Sequence, residues 1–213
     1  MIWAEVKSAL NSTVGNRMKP LDEIIKEAEY DSYYYGAVLD AERETKDYSV
    51  ESGGLPLKVA VIPYGLKNTN DFYFGNGNGV RHVFLPSTLE SIGYGFGNQI
   101  GGITHLKNLR LPPRLKFIGE RAFNGAEELE SLVIPRTVNS IGEQAFGYTS
   151  LRTVVFEGKP SSISARAFSG SHSITDIYVP WSEGEVGDMQ GEPDEDPAPW
   201  GAVNATVHYN HIL

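Results

Sequence analysis

The 213-residue chain contains no cysteine, so disulfides and thiolate metal sites are excluded while the compartment stays open. Basic residues are few beside acidic ones. Eighteen Lys and Arg stand against 27 Asp and Glu, for a formal net charge of −9. That balance argues against a nucleic-acid partner, which needs a basic footprint. It argues equally against electrostatic docking on anionic lipid. No apolar run approaches the ~20 residues needed for membrane insertion as a spanning helix. The opening residues, MIWAEVKSAL, lack the basic start and long apolar middle of a signal peptide, so export would need another route or a leader outside this sequence. The signatures of catalysis are missing too. None of the five histidines, His82, His105, His172, His208 and His211, lies in HExxH or at metal spacing with another ligand type. There is no GxSxG elbow and no Walker loop. The GNGNG run at 75–79 lacks the spacing and the following helix of a dinucleotide fingerprint. The expectation is a chain that is not an enzyme, with no catalytic residues, no metal and no cofactor.

What is present is one phrase written three times. Residues 109–123 read LRLPPRLKFIGERAF, residues 132–146 read LVIPRTVNSIGEQAF, and residues 154–168 read VVFEGKPSSISARAF. Leu109, Leu132 and Val154 share a column, as do Leu111, Ile134 and Phe156, then Ile118, Ile141 and Ile163, then Phe123, Phe146 and Phe168. A fixed period of this length marks a solenoid. Each unit opens on an alternating apolar pair, the pattern of a strand with one buried face. Pro112 and Pro135 then remove a ladder donor and end the strand. No unit can bury its apolar face alone, so stacked units share a core. The Phe column should form an internal stack, with Ala122, Ala145 and Ala167 leaving room beside it. Gly119 and Gly142 stand where a tight turn is expected. Further strands are expected at 59–63, 82–86, 176–179 and 206–209. The long step from Pro86 to Pro112 places extra chain in GNQIGG.

The pattern I-P-x-x-V-x-x-I-G-x-x-A-F resembles the BspA-type leucine-rich repeats. Residues 135–146 match at every position from the Pro onward, and 112–123 match with Leu115 at the Val site. The family often has Cys three residues after the Phe, where this chain has Ala126, Thr149 and Ser171. The resemblance covers residues 58–213. It implies an α/β solenoid, a leucine-rich repeat with a short-stranded parallel sheet, of a class common on microbial cell surfaces; with the leader resemblance described next, the expectation is a cell-surface or virion-associated protein.

The first 50 residues do not match the repeat and read as a small helical segment followed by a linker. Trp3, Val6 and Leu10 share one helical face, and Leu21, Ile24, Ile25 and Ala28 share another after Pro20. Residues 1–25 resemble the leaders of prophage tail-associated proteins. Tyr30, Tyr33, Tyr34 and Tyr35 are either a stacking platform for a sugar or partner, or packing on the first coil. Residues 37–57, ending in Ser52-Gly53-Gly54, read as the linker, and the repeat domain as 51–213. An acidic insertion near 183–199 reads as a solvated loop rather than a calcium site, because its carboxylates fit no calcium-loop spacing. Trp181 and Trp200 flank it and are expected to cap the last coil.

Strand residues alternate, so the residue between two core positions points outward. That outward column reads Phe84, Arg110, Val133, Val155, Tyr178 and His208, with Asp176 in the polar column beside it. Phe84, Arg110, Asp176, Tyr178 and His208 are the candidate binding residues, with Tyr178 and Arg110 as anchors. Two functions follow. One is a binding or adhesion module that contacts protein or surface glycan through the sheet. The other is a structural part of a phage tail or surface array, with a virion or surface-array neighbour, held through the N-terminal helices.

Overall fold

The computed structural model describes residues 36–38, 48–49, 59–62, 67–69, 72–73, 80–94, 103–185, 187–188 and 198–211. The expected helices and tyrosine cluster before residue 36 lie outside them. Every strand pair among the described residues is parallel, as a stack of like coils requires.

One side of the coil carries two sheets. The first joins β1 (Gly36–Val38), β3 (Val59–Val61) and β5 (His82–Phe84). The second joins β8 (Ser131–Ile134), β10 (Thr153–Phe156), β12 (Asp176–Tyr178) and β14 (Thr206–His208). The register follows the sequence columns: Leu132 faces Val154, and Val154 faces Ile177. Between the two sheets the expected strand at 109–111 is not formed. Only a bridge from Asn108 to His82 crosses the gap. The interruption coincides with the long step from Pro86 to Pro112 in the sequence, and Leu111 still reaches the core. The ladder also begins earlier than the repeat pattern suggests. Strands β1 and β2 (Tyr48–Ser49) fall in the stretch read as terminal segment and linker, and β2 pairs with β4 (Phe72–Tyr73).

A second ladder runs along another side of the coil. It joins β6 (Ser91–Ile92), β7 (Phe117–Ile118), β9 (Ser140–Ile141), β11 (Ser162–Ile163) and β13 (Gly187–Asp188). Its isoleucines, Ile92, Ile118, Ile141 and Ile163, all point into the core. Strand β13 lies inside the stretch read as a loose acidic loop. Glu185, just before it, pairs with Lys159 at 2.8 Å. The acidic stretch therefore belongs to the coil through Asp188.

The α part of the expected α/β fold is not found: no helix occurs among the described residues. The return arm explains why. Ala122, Asn124 and Ala126 donate their amides three residues back, to Gly119, Arg121 and Phe123. The residues between them, Arg121, Phe123 and Gly125, donate instead to Glu143, Ala145 and Gly147 of the next coil. An α-helix would need every amide for itself. Arg121 and Gln144 also adopt positive φ, 53° and 49°, which breaks a right-handed run.

The core sits between the ladders and the arm. Phe123, Phe146 and Phe168 are fully buried and stacked, with centroids 5.4 and 5.7 Å apart. The small residues three places on are buried as well, and two of them bond. Ser171 Oγ donates to the Phe146 carbonyl at 2.8 Å and accepts the Thr149 amide at 2.9 Å. At the far end Trp181 and Trp200 close the core, both buried, each packed against Phe156 and against the other. Phe168 donates its amide to the Trp200 carbonyl, the bond that Phe146 makes to Ala167 one coil earlier. Trp200 thus stands where the next coil's alanine would be. No helix among the described residues is long and apolar enough to cross a membrane.

Candidate functional site

Alternation in β8 and β10 turns Val133 and Val155 outward while their neighbours enter the core. Register then aligns Val133, Val155, Tyr178 and His208 in one row across four strands. Val133 is 49% exposed, and the other three are half-buried. Ser131, Thr153, Asp176 and Thr206 form the parallel polar row. The result is a narrow apolar stripe with hydroxyls and one carboxylate along its edge.

At the β12–β14 end three candidate residues meet. The Tyr178 and His208 rings stack at 4.5 Å, 13° from parallel. His208 Nε2 lies 2.7 Å from Asp176 Oδ1, and Thr175 Oγ1 donates to Asp176 Oδ2 at 2.7 Å. His211 joins them, its ring 4.8 Å from Tyr178. It was not among the sequence candidates because it lies past the last strand, in no repeated column. Its backbone places it: the His211 amide donates to the Val179 carbonyl at 2.9 Å. The strongest signal was its closeness to His208 in the chain, which alone does not separate a cluster from two solvated imidazoles.

The His208 hydrogen bond, and after it the Thr175 hydroxyl, hold the Asp176 carboxyl below its ordinary range. A carboxyl depressed in the folded state adds stability that is complete above its unfolded value, near 3.8, and is lost as pH falls through the lower folded value. Asp176→Asn is therefore expected to lower the urea midpoint at about pH 7, with the gap to wild type closing as pH falls below 3.8. The gap will be small, because the pair is half-exposed and screened. A gap that persists unchanged in acid would show that ionisation of Asp176 does not contribute.

The other two candidates do not join this cluster. Phe84 is only 3% exposed, although its neighbours Val83 and Leu85 are the residues of that strand that enter the core cluster. Alternation gives the direction of a side chain but not what covers it, and Phe84 offers no surface to a ligand. Arg110 is exposed, but it sits in the gap between the two sheets, outside the row. A second imidazole–carboxylate contact, His105 Nδ1 to Glu128 Oε1 at 2.5 Å with Lys107 at 3.3 Å, lies at the surface. Among the described residues no group of three or more His, Cys, Asp or Glu is placed to hold a metal ion.

The repeat itself identifies the lineage. The family model for the BspA type leucine rich repeat region, in six copies, matches residues 67–189, more than half of the chain. The chain belongs to the BspA-type leucine-rich repeat family. Proteins with BspA-type repeats commonly mediate protein or surface binding, are often surface-associated and are typically not catalytic. The BspA-type coils here are also similar to a crystal structure of a leucine-rich repeat protein from Bacteroides ovatus ATCC 8483. Identity is 16% and the TM-score 0.32, over 72% of this chain. The match spans about half, 49%, of that protein's length. A comparison with curated protein sequences finds no match.

Proposed function

We propose that this chain is a non-catalytic binding module that meets a protein or surface glycan through its outward strand face. The observation that carries the reading is the register-matched row of Val133, Val155, Tyr178 and His208. A partly exposed row of two valines, a tyrosine and a histidine, rimmed by hydroxyls, has the composition of a contact surface, with Tyr among the anchor types enriched there. Four strands ~4.8 Å apart give a short stripe. Such a stripe offers well under the ~800 Å² per partner of a stable interface. The contact is therefore weak singly and gains strength by repetition on a surface. Arg110 lies beyond the row, where it would meet a partner that extends past it.

Tyr178→Ala combined with Arg110→Ala should weaken retention on the protein or glycan surface that holds the intact chain by roughly 10-fold or more. Circular dichroism would establish that the variant remains folded. Undiminished retention of a folded double variant would place the contact elsewhere.

A further inference from the structure

The corner where each coil enters the second ladder is a column stacked by backbone bonds. The amides of Glu90, Lys116, Asn139 and Ser161 each donate one coil back, to the carbonyls of Lys67, Glu90, Lys116 and Asn139, at 2.8, 2.8, 2.7 and 2.8 Å. The column therefore recurs at coil spacing and runs about 19 Å at ~4.8 Å per step. Two places earlier in each coil, Arg114, Thr137 and Lys159 make a second column, with Arg136 beside it. These turns are nested as well. Thr137 Oγ1 donates to the Pro113 carbonyl at 3.0 Å, and a β-carbon at Gly158 would lie 2.6 Å from the Arg136 α-carbon.

The corner gathers cations. Lys67, Arg114, Lys116, Arg136 and Lys159 are all exposed. Two are matched, Lys116 with Glu90 at 2.7 Å and Lys159 with Glu185 at 2.8 Å. Arg114 and Arg136 have no hydrogen bond or ion pair among the described residues. The corner already stabilises an anion of its own. The Lys116 hydrogen bond and charge, and after them Lys67 and Arg114, hold the Glu90 carboxyl below its ordinary range. Three cations thus act on one carboxylate, from the coils before and after it. The net charge of −9 does not cancel them, because charges beyond a screening length of ~8 Å are largely hidden at physiological salt.

We propose that this corner binds a linear sulfated glycan laid along the coils. A guanidinium grips an oxyanion with two parallel hydrogen bonds, and Arg114 and Arg136 offer that grip on successive coils. The cations stand in a line on an exposed turn, which suits a ligand that is itself a line. The groups beside them suit a sugar. Ser161 Oγ donates to Asn139 Oδ1 at 2.6 Å, which leaves the Asn139 amide nitrogen without a partner among the described residues. The adjoining row of the ladder reads Ser91, Phe117, Ser140 and Ser162. This amide and these hydroxyls meet the hydroxyls of the glycan, while its sulfates meet the cations. A nucleic acid needs a longer basic footprint. The surface belongs to the second ladder and stands independently of the strand face.

The test is calorimetric titration of the intact chain at about 50 mM salt with a heparin hexasaccharide, its desulfated form, hexaglutamate and a thymidine hexanucleotide. The sulfated hexasaccharide should bind, and the other three at least ~10-fold more weakly. Arg114→Gln combined with Arg136→Gln should weaken it roughly 10-fold or more. Arg152→Gln combined with Arg166→Gln removes the same charge elsewhere and should weaken it less than ~3-fold. All four side chains are exposed, so both double variants should melt with wild type. Glu90→Gln should tighten binding by about 2- to 5-fold, because a competing carboxylate is gone, and misfolding cannot produce a gain. The proposal is overturned if the sulfated hexasaccharide does not bind, or if any of the other three binds as tightly. Equal losses in the two double variants, or no gain in Glu90→Gln, would overturn it too, by showing a diffuse field in place of a site.

Discussion

Phe146→Ala is expected to cost about 3–5 kcal/mol, the upper range for truncating a single core residue. Phe146 is the middle of the stack, fully buried, with a ring on either side at 5.4 and 5.7 Å. Removing it leaves a cavity between two rings, each of which loses a partner. Coils contact only their neighbours, so the damage should pass first to the adjacent coils. Amide exchange should quicken in β8 and β10 while β5 stays protected. Unchanged exchange in both β8 and β10 would show that the coils do not depend on one another as the stack implies. Urea unfolding measures the size of the loss, and a cost near 1 kcal/mol would mean that the coils close over the gap.

Gly142→Ala comes second, at about 1–3 kcal/mol or somewhat more. A β-carbon at Gly142 would lie 2.6 Å from the Glu120 amide nitrogen and 2.9 Å from the Gly119 carbonyl carbon. At Gly119 it would lie 2.7 Å from the Gly93 carbonyl carbon. Glycines at this corner nest coil upon coil, and what they contact is backbone, which cannot rotate away. The sequence suggested a turn that needs glycine's freedom, but neither Gly119 nor Gly142 has positive φ. The need is for space, to let two coils approach. Gly125→Ala is the control, because its φ is 78° but nothing lies within 4 Å of an added β-carbon. It should cost about 1 kcal/mol, from conformation alone. Should Gly142→Ala prove no worse than Gly125→Ala, close approach at this corner would not be what sets the coil spacing.

Period, strand direction and the inward columns were legible because each repeats in phase. Leu132, Val154 and Ile177 face one another as the columns align them, and the Phe stack follows from the same alignment. The second ladder was not legible. Its strands are two residues long, Ser140–Ile141 and Ser162–Ile163 among them, too short for alternation to register. The arm's hydrogen bonding was not legible either. Residues such as Glu120, Arg121 and Ala122 favour helix locally, and only the bonds to the next coil divert every second amide. The candidate face was legible at Asp176, Tyr178 and His208, which share strand columns. It failed at Phe84, which is buried although it lies between the core residues Val83 and Leu85. It missed His211, which is positioned by one backbone bond rather than by a repeat.

The one-way donation in the arm gives the stack a direction. Arg121, Phe123 and Gly125 donate to the coil that follows them, and Gln144, Phe146, Tyr148 and Phe168 do the same. Aligned peptide groups add their dipoles, as they do along a helix. The arm is therefore a polar column, with amide hydrogens facing the C-terminal end and carbonyl oxygens facing the other. Within the arm, a cut between two coils bares donors on one surface and acceptors on its mate, whereas at the corners Gly119 and Gly142 donate to the preceding coil. Two such columns can join head to tail, where unlike ends meet. Two like ends brought together would set donor against donor, or acceptor against acceptor, and could not pair.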